Sequence, residues 1–165
     1  MGCMCSAPAG PTRPAVPPSV TRLCLATFAP SHNAGYTIKG LRLIGANKTE
    51  GADQYETWIY IGKRGHFFSL IESVKGELTS EEDKVKSKDH KTSPFCWGER
   101  SDGTKFYIGG GDAMRAWIQQ QPGFQEGKGD TVLAWAKGEP APNQSDYKVT
   151  FPCKFGTSGT ALRNN

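Results

Sequence analysis

No run in the 165-residue chain approaches the ~18 or more uninterrupted apolar residues that a membrane-spanning helix needs. The first thirty residues also lack the apolar core of a secretory signal. The chain is therefore expected to stay on the cytosolic side of any membrane it meets. Its five cysteines form no Cys-x-x-Cys pair, and Cys3-Met4-Cys5 has no later partner pair to complete a zinc site. That pattern excludes a disulfide framework and a structural metal, and no metal or cofactor is expected. Cys24, Cys96 and Cys153 stand among apolar neighbours and read as small buried hydrophobes. The three histidines, His32, His66 and His90, are scattered, and no local Cys/His or Ser/His spacing marks a nucleophile with its base. No catalytic residue is assigned, and the reading is of a non-enzyme.

Acidic residues are missing from the whole N-terminal third. All 16 lie at Glu50 or later, whereas Arg13, Arg22, Lys39, Arg42 and Lys48 precede it. Five dispersed cations do not make a nucleic-acid groove, where basic residues cluster with stacking aromatics. They do suit an anionic bilayer surface, at roughly 1 kcal/mol per basic residue close to the headgroups.

The most informative stretch that is present is the start, Met1-Gly2-Cys3-Met4-Cys5-Ser6. It fits Met-Gly-x-x-x-Ser/Thr, the acceptor pattern for N-myristoylation of Gly2 once Met1 is removed. One myristoyl chain binds membranes only marginally, with K of about 10⁴ M⁻¹, so stable attachment takes a second signal. Cys3 and Cys5 are placed to supply it as palmitoylation sites. The hexapeptide resembles the dually acylated N-termini of small membrane-attached proteins. That resemblance implies a location and no activity.

Residues 7–20 hold five prolines and no acid, and read as an extended spacer between the anchor and a folded domain. The expected organisation is thus an acylated, disordered, Pro-rich arm over 1–20, a β-rich globular domain over 21–156, and a disordered tail over 157–165. Within the domain, residues 75–91 carry five bases and five acids and read as a charged loop or a frayed short helix. Thr79-Ser80-Glu81-Glu82-Asp83 inside it would also suit an acid-directed kinase.

With 20 glycines and 11 prolines, the chain favours turns over long helices. Seven short segments rich in β-branched and aromatic residues read as strands: 22–28, 36–44, 56–61, 66–73, 104–108, 131–137 and 147–155. In the second, the alternation changes phase at Gly40, which suggests a bulge. Ser101-Asp102-Gly103-Thr104 reads as a hairpin turn. One helix is expected over 112–120, capped by Asp112, with Met114, Trp117 and Ile118 on its buried stripe. The fold expected is mainly β: a single antiparallel sandwich, or a roll or barrel, of about seven strands with one helix.

The segments 58–70 and 95–109, followed by a helix carrying Trp117, resemble a pleckstrin-homology domain over about 60 residues. The resemblance implies that Lys63, Arg64 and His66, on one loop, meet a phosphoinositide headgroup. The functional expectation is a non-catalytic, lipid-anchored adaptor or scaffold with a protein partner at the cytosolic face of a membrane. The alternatives are a headgroup-binding module and a small enzyme.

Overall fold

A computed structural model of the chain describes residues 12–29, 31, 34–46, 54–127, 129–138 and, for the backbone, 160–164. The acylation residues Gly2, Cys3 and Cys5, and the expected strand over 147–155, lie outside the described residues.

Strand β1 (Thr21–Phe28) leads into helix α1 (Gly35–Ala46) and then strand β2 (Tyr55–Gly62). β2 runs parallel to β1, with Cys24 opposite Trp58. Parallel neighbours cannot be joined by a tight turn, and α1 is the crossover that the geometry demands. Helices α2 (Arg64–Glu77) and α3 (Glu81–Ser87) follow, then the hairpin of β3 (Phe95–Arg100) and β4 (Lys105–Gly109). Helix α4 (Gly111–Gln119), a 3₁₀ turn at Pro122–Phe124, helix α5 (Asp130–Lys137) and strand β5 (Thr160–Asn164) complete the order. β5 falls where a tail was expected. The sheet is mixed, ordered β4-β3-β1-β2-β5, with β3 antiparallel to β1 and β5 antiparallel to β2.

This corrects the mainly-β expectation: the protein is mixed α/β, with one open sheet and helices on both faces. It is neither a seven-stranded sandwich, roll or barrel nor a pleckstrin-homology fold, whose antiparallel sheet has no place for a parallel β1–β2 pair. Three segments expected as strands are helices. Residues 36–44 lie in α1, where Ile38, Leu41 and Ile44 recur every third residue on a buried face. Residues 66–73 lie in α2, where Phe67, Leu70, Ile71 and Val74 keep the i, i+3, i+4, i+7 spacing of a helical stripe. Residues 131–137 form most of α5, with Val132, Leu133, Trp135 and Ala136 buried. The phase change at Gly40 is the signature of a 3.6-residue period, not of a bulge.

β1 separates two cores because its side chains alternate between them. Leu23 and Leu25 join Ile59, Ile61 and Cys96 beneath α1, α4 and α5. Cys24 and Ala26 join Trp58, Tyr60, Phe95 and Trp97 beneath α2. Burial of each such large side chain contributes about 1.5–3 kcal/mol. The charged stretch over 75–91 holds the end of α2 and the short helix α3, which is N-capped by Ser80 accepting from the Asp83 amide at 3.1 Å.

Candidate functional site

Two places in the fold gather polar side chains. The first is the carboxyl end of the parallel strands, where α1 and α2 leave β1 and β2 on opposite faces of the sheet. In open α/β sheets such a reversal of connection leaves a crevice that commonly takes ligands. Here Thr27 is the last residue but one of β1, Ser31 precedes α1, and Ser93 precedes the cis-proline Pro94 that leads into β3. The Ser93 hydroxyl is hydrogen-bonded to Thr27 and, at 3.2 Å, to Ser31, whose Oγ also accepts from the Ala34 amide at 3.3 Å.

A hydroxyl becomes a nucleophile when a base removes its proton. These three bond to one another. Of the two described histidines, His90 is the nearer to them in sequence, and it directs its ring nitrogens to the Tyr107 hydroxyl at 2.6 Å and the Thr92 carbonyl at 2.9 Å, while His32, next to Ser31, lies outside the described residues. The described thiols are no better placed. Cys24 and Cys96 are wholly buried, and burial pushes both thiols above their ordinary range, with the neighbouring Glu99 acting in the same direction on Cys24. Among the described residues no group of three or more His, Cys, Asp or Glu side chains could hold a metal ion. The arrangement can bind, with hydroxyls and amides as its recognition groups.

The second place is the opposite end of the sheet, on the α2 face. Arg22 on β1 stands opposite Glu56 on β2 and Glu99 on β3, and Glu99 stands opposite Lys105 on β4. The register therefore lays a row Glu56-Arg22-Glu99-Lys105 across four strands. Arg22 meets Glu56 at 2.6 Å and Glu99 at 3.4 Å. The next row toward the middle of the sheet is Trp58-Cys24-Trp97, with the two indoles on either side of the thiol.

Arg13, from the arm, sits where these two rows meet. Its Nε donates to both Glu99 carboxylate oxygens at 3.0 and 3.1 Å, and its Nη2 donates to Glu77 at 2.8 Å from the end of α2. Its guanidinium carbon is 5.6 Å from the Trp58 ring centre and 5.4 Å from that of Trp97. Lys105 reaches Glu77 at 2.8 Å as well. Burial works against the Arg13 charge, but Glu99 and Glu77 outweigh it and raise its pKa above the ordinary value. Glu77 is likewise held below the usual carboxylate range, since Lys105 and Arg13 outweigh its partial burial. Among the described residues, three cations and three carboxylates thus meet in a half-enclosed cluster.

Lys63, Arg64 and His66, expected on one hairpin loop, lie instead at the start of α2. Lys63 is its N-cap and is exposed, Arg64 is exposed and lies over the Phe28 and Phe68 rings at 5.5 and 5.7 Å, and His66 is partly buried. The structure brings them to one helical turn and gives them no hydroxyl or carboxylate from the two clusters. Asp112, expected as a cap, sits in the first turn of α4 and pairs with Arg115, while Gly110 holds the cap position.

The sequence reading missed Arg13, Glu77, Glu99, Trp58 and Trp97 as a set. One signal for it was available: Glu99 follows directly on the apolar run Phe95-Cys96-Trp97-Gly98, and a buried carboxylate demands a cation. No family model, curated protein or solved structure matches the chain.

Proposed function

We propose that this protein is a non-catalytic adaptor held by acyl chains at the cytosolic face of a membrane, where its α/β domain presents a binding surface to a protein partner. The observation that carries this reading is the docking of Arg13. The arm that begins with the acylation pattern is bonded into the domain by a residue only eleven positions after Gly2. An extended chain spans at most ~3.3–3.6 Å per residue, so the anchor and the docked arm are at most about 40 Å apart. A short tether of this kind keeps a domain within reach of membrane-bound partners. A binding role also agrees with hydroxyls that, among the described residues, bond one another.

The attachment is tested with Gly2→Ala and with Cys3→Ser combined with Cys5→Ser, each followed by cell fractionation. Gly2→Ala should release the protein entirely, because palmitoylation depends on the transient membrane visits that myristate provides. The double cysteine variant should retain weak, rapidly exchanging association. Tight association of either variant would overturn the reading.

A headgroup-binding module is the second reading, favoured by the exposed pair Lys63 and Arg64 on the first turn of α2. Flotation of the unacylated Gly2→Ala chain with phosphoinositide liposomes separates the two. Strong flotation that salt weakens and Lys63→Glu with Arg64→Glu abolishes would replace the adaptor by the headgroup binder.

A further inference from the structure

We propose that the slot formed by Trp58, Trp97, Glu77 and Glu99 is a guanidinium-binding site, which the chain fills with its own Arg13 and which an arginine of a protein partner occupies when the arm lifts. The partner's being a protein rests on the adaptor reading; guanidinium recognition rests on the slot alone.

The slot is built for a flat, forked cation. Glu99 takes a bifurcated hydrogen bond from the Nε–H on both its oxygens, Glu77 takes one from Nη2, and two indole rings lie beside the group. A lysine ammonium can bridge the two carboxylates, as Lys105 does at 2.8 and 3.7 Å, but it is a point charge with no planar face to lay against the rings. The walls are fixed independently of the arm. Glu99 also meets Arg22 and Lys105, at 3.4 and 3.7 Å, and Trp58 and Trp97 pack edge to face at 5.9 Å. Lifting the arm therefore takes one positive charge away from Glu77 and Glu99 beside two rings, while Arg22 and Lys105 stay in place.

The arm is held by little else. Among the described residues it is also held by a bond from Arg22 to the Ala15 carbonyl at 3.3 Å, while the Val20 amide bonds back to Pro17 within the arm. Pro14 and Pro17 fix the backbone on either side of Ala15 and Val16, and the turn over Pro17–Val20 that this last bond closes leads into β1. Arg13 competes as a tethered ligand at an effective concentration in the millimolar range. Free arginine is thereby excluded from the wild type, and only a ligand with contacts beyond the guanidinium displaces the arm. Displacement lengthens the free tether from Arg13 to Thr21, which extends its reach from about 40 to about 65 Å.

The test uses the full-length chain. Arg13→Ala should bind ethylguanidinium, read by indole fluorescence and by a raised melting temperature, at least about tenfold more tightly than butylammonium. The wild type should show neither response. A folded Arg13→Ala chain that ignores ethylguanidinium, or that answers both cations equally, overturns the proposal. Should Arg13→Ala fail to fold, the wild type decides. A synthetic peptide of residues 8–18 in excess should accelerate amide exchange over residues 12–20, and the same peptide with citrulline in place of arginine should not. Acceleration by both peptides, or by neither, overturns it.

Discussion

Tyr36 and Trp135 exchange hydrogen bonds between helices α1 and α5: the Tyr36 hydroxyl donates to the Trp135 carbonyl at 2.9 Å, and the Trp135 indole donates to the Tyr36 carbonyl at 2.8 Å. The indole reaches α1 because position 40 carries no side chain. A Cβ on Gly40 would lie 2.0 Å from the Trp135 ring. Alanine is the better helix former by about 1 kcal/mol. Displacing a packed indole and its hydrogen bond costs more, typically about 1–3 kcal/mol for overpacking alone. Gly40→Ala is therefore expected to lower the denaturant midpoint, and a raised midpoint would mean that Trp135 does not pack there.

Helix α4 supplies a prediction about order. Met114 and Ile118 are fully buried, while Trp117 is partly exposed between Tyr55 and Phe106, with ring centres 6.1 and 5.8 Å away. Ile118→Ala should cost about 2–5 kcal/mol, as for other buried large-to-small changes. Trp117→Ala should cost less, because part of its ring already meets water. Urea titrations of both variants check the ranking; a larger loss for Trp117→Ala would require α4 to be rotated toward the sheet.

The strands were the legible part of this fold. β1, β2, β4 and the turn at 101–104 fall within a residue or two of their expected places, because β-branched and aromatic runs bounded by turn residues need little context. The turn carries its own explanation: Gly103 has φ of +88°, and the Asp102 carboxylate accepts from the Thr104 amide at 2.9 Å. Helices α1 and α2 were misread because Tyr36, Thr37, Ile38, Phe67, Phe68 and Ile71 are strand-favouring residues. Burial spacing of three and four, not propensity, decided their state. The candidate sites were less legible. Glu77, Glu99, Trp58 and Trp97 come from three separate elements, and only the register that sets Arg22 beside Glu99 brings them to Arg13. Ser93 meets Thr27 across 66 positions of chain.

His90 predicts a pH dependence. Burial lowers its pKa below the ordinary value, nearby Lys75 adds to this, and the bonds to the Thr92 and Pro94 backbone oppose it only in part. The folded chain therefore binds fewer protons than the unfolded one between the depressed pKa and the usual ~6.5. Stability from this residue is present above pH ~6.5 and is lost as pH falls through that window. Melting temperatures between pH 7.5 and 5 should fall more steeply for the wild type than for His90→Gln, which has no proton to take up. Parallel curves would mean that the imidazole titrates as it does in water.

The exposed edge of the sheet at β4 supplies the last prediction. A bare edge invites pairing with another chain. Here the stretch between α2 and α3, together with the first turn of α3, covers it. The Lys105 carbonyl accepts from the Thr79 amide at 3.0 Å, the Lys105 amide donates to the Thr79 hydroxyl at 2.9 Å, and the Tyr107 amide donates to the Asp83 carboxylate at 3.2 Å. Thus the acidic run after Thr79, which reads from sequence as a solvated stretch or a kinase target, also stands guard over strand backbone. Asp83→Ala removes the acceptor of a partly buried amide and should cost about 1–3 kcal/mol. Thr79→Val with Asp83→Ala should in addition raise self-association, seen as concentration-dependent light scattering under conditions where the wild type stays monodisperse. The Ser80→Ala control loses only the N-cap of α3, typically about 1 kcal/mol, and should leave scattering unchanged. If the control scatters as strongly as the double variant, loss of α3 itself, rather than the uncovered β4 edge, drives association.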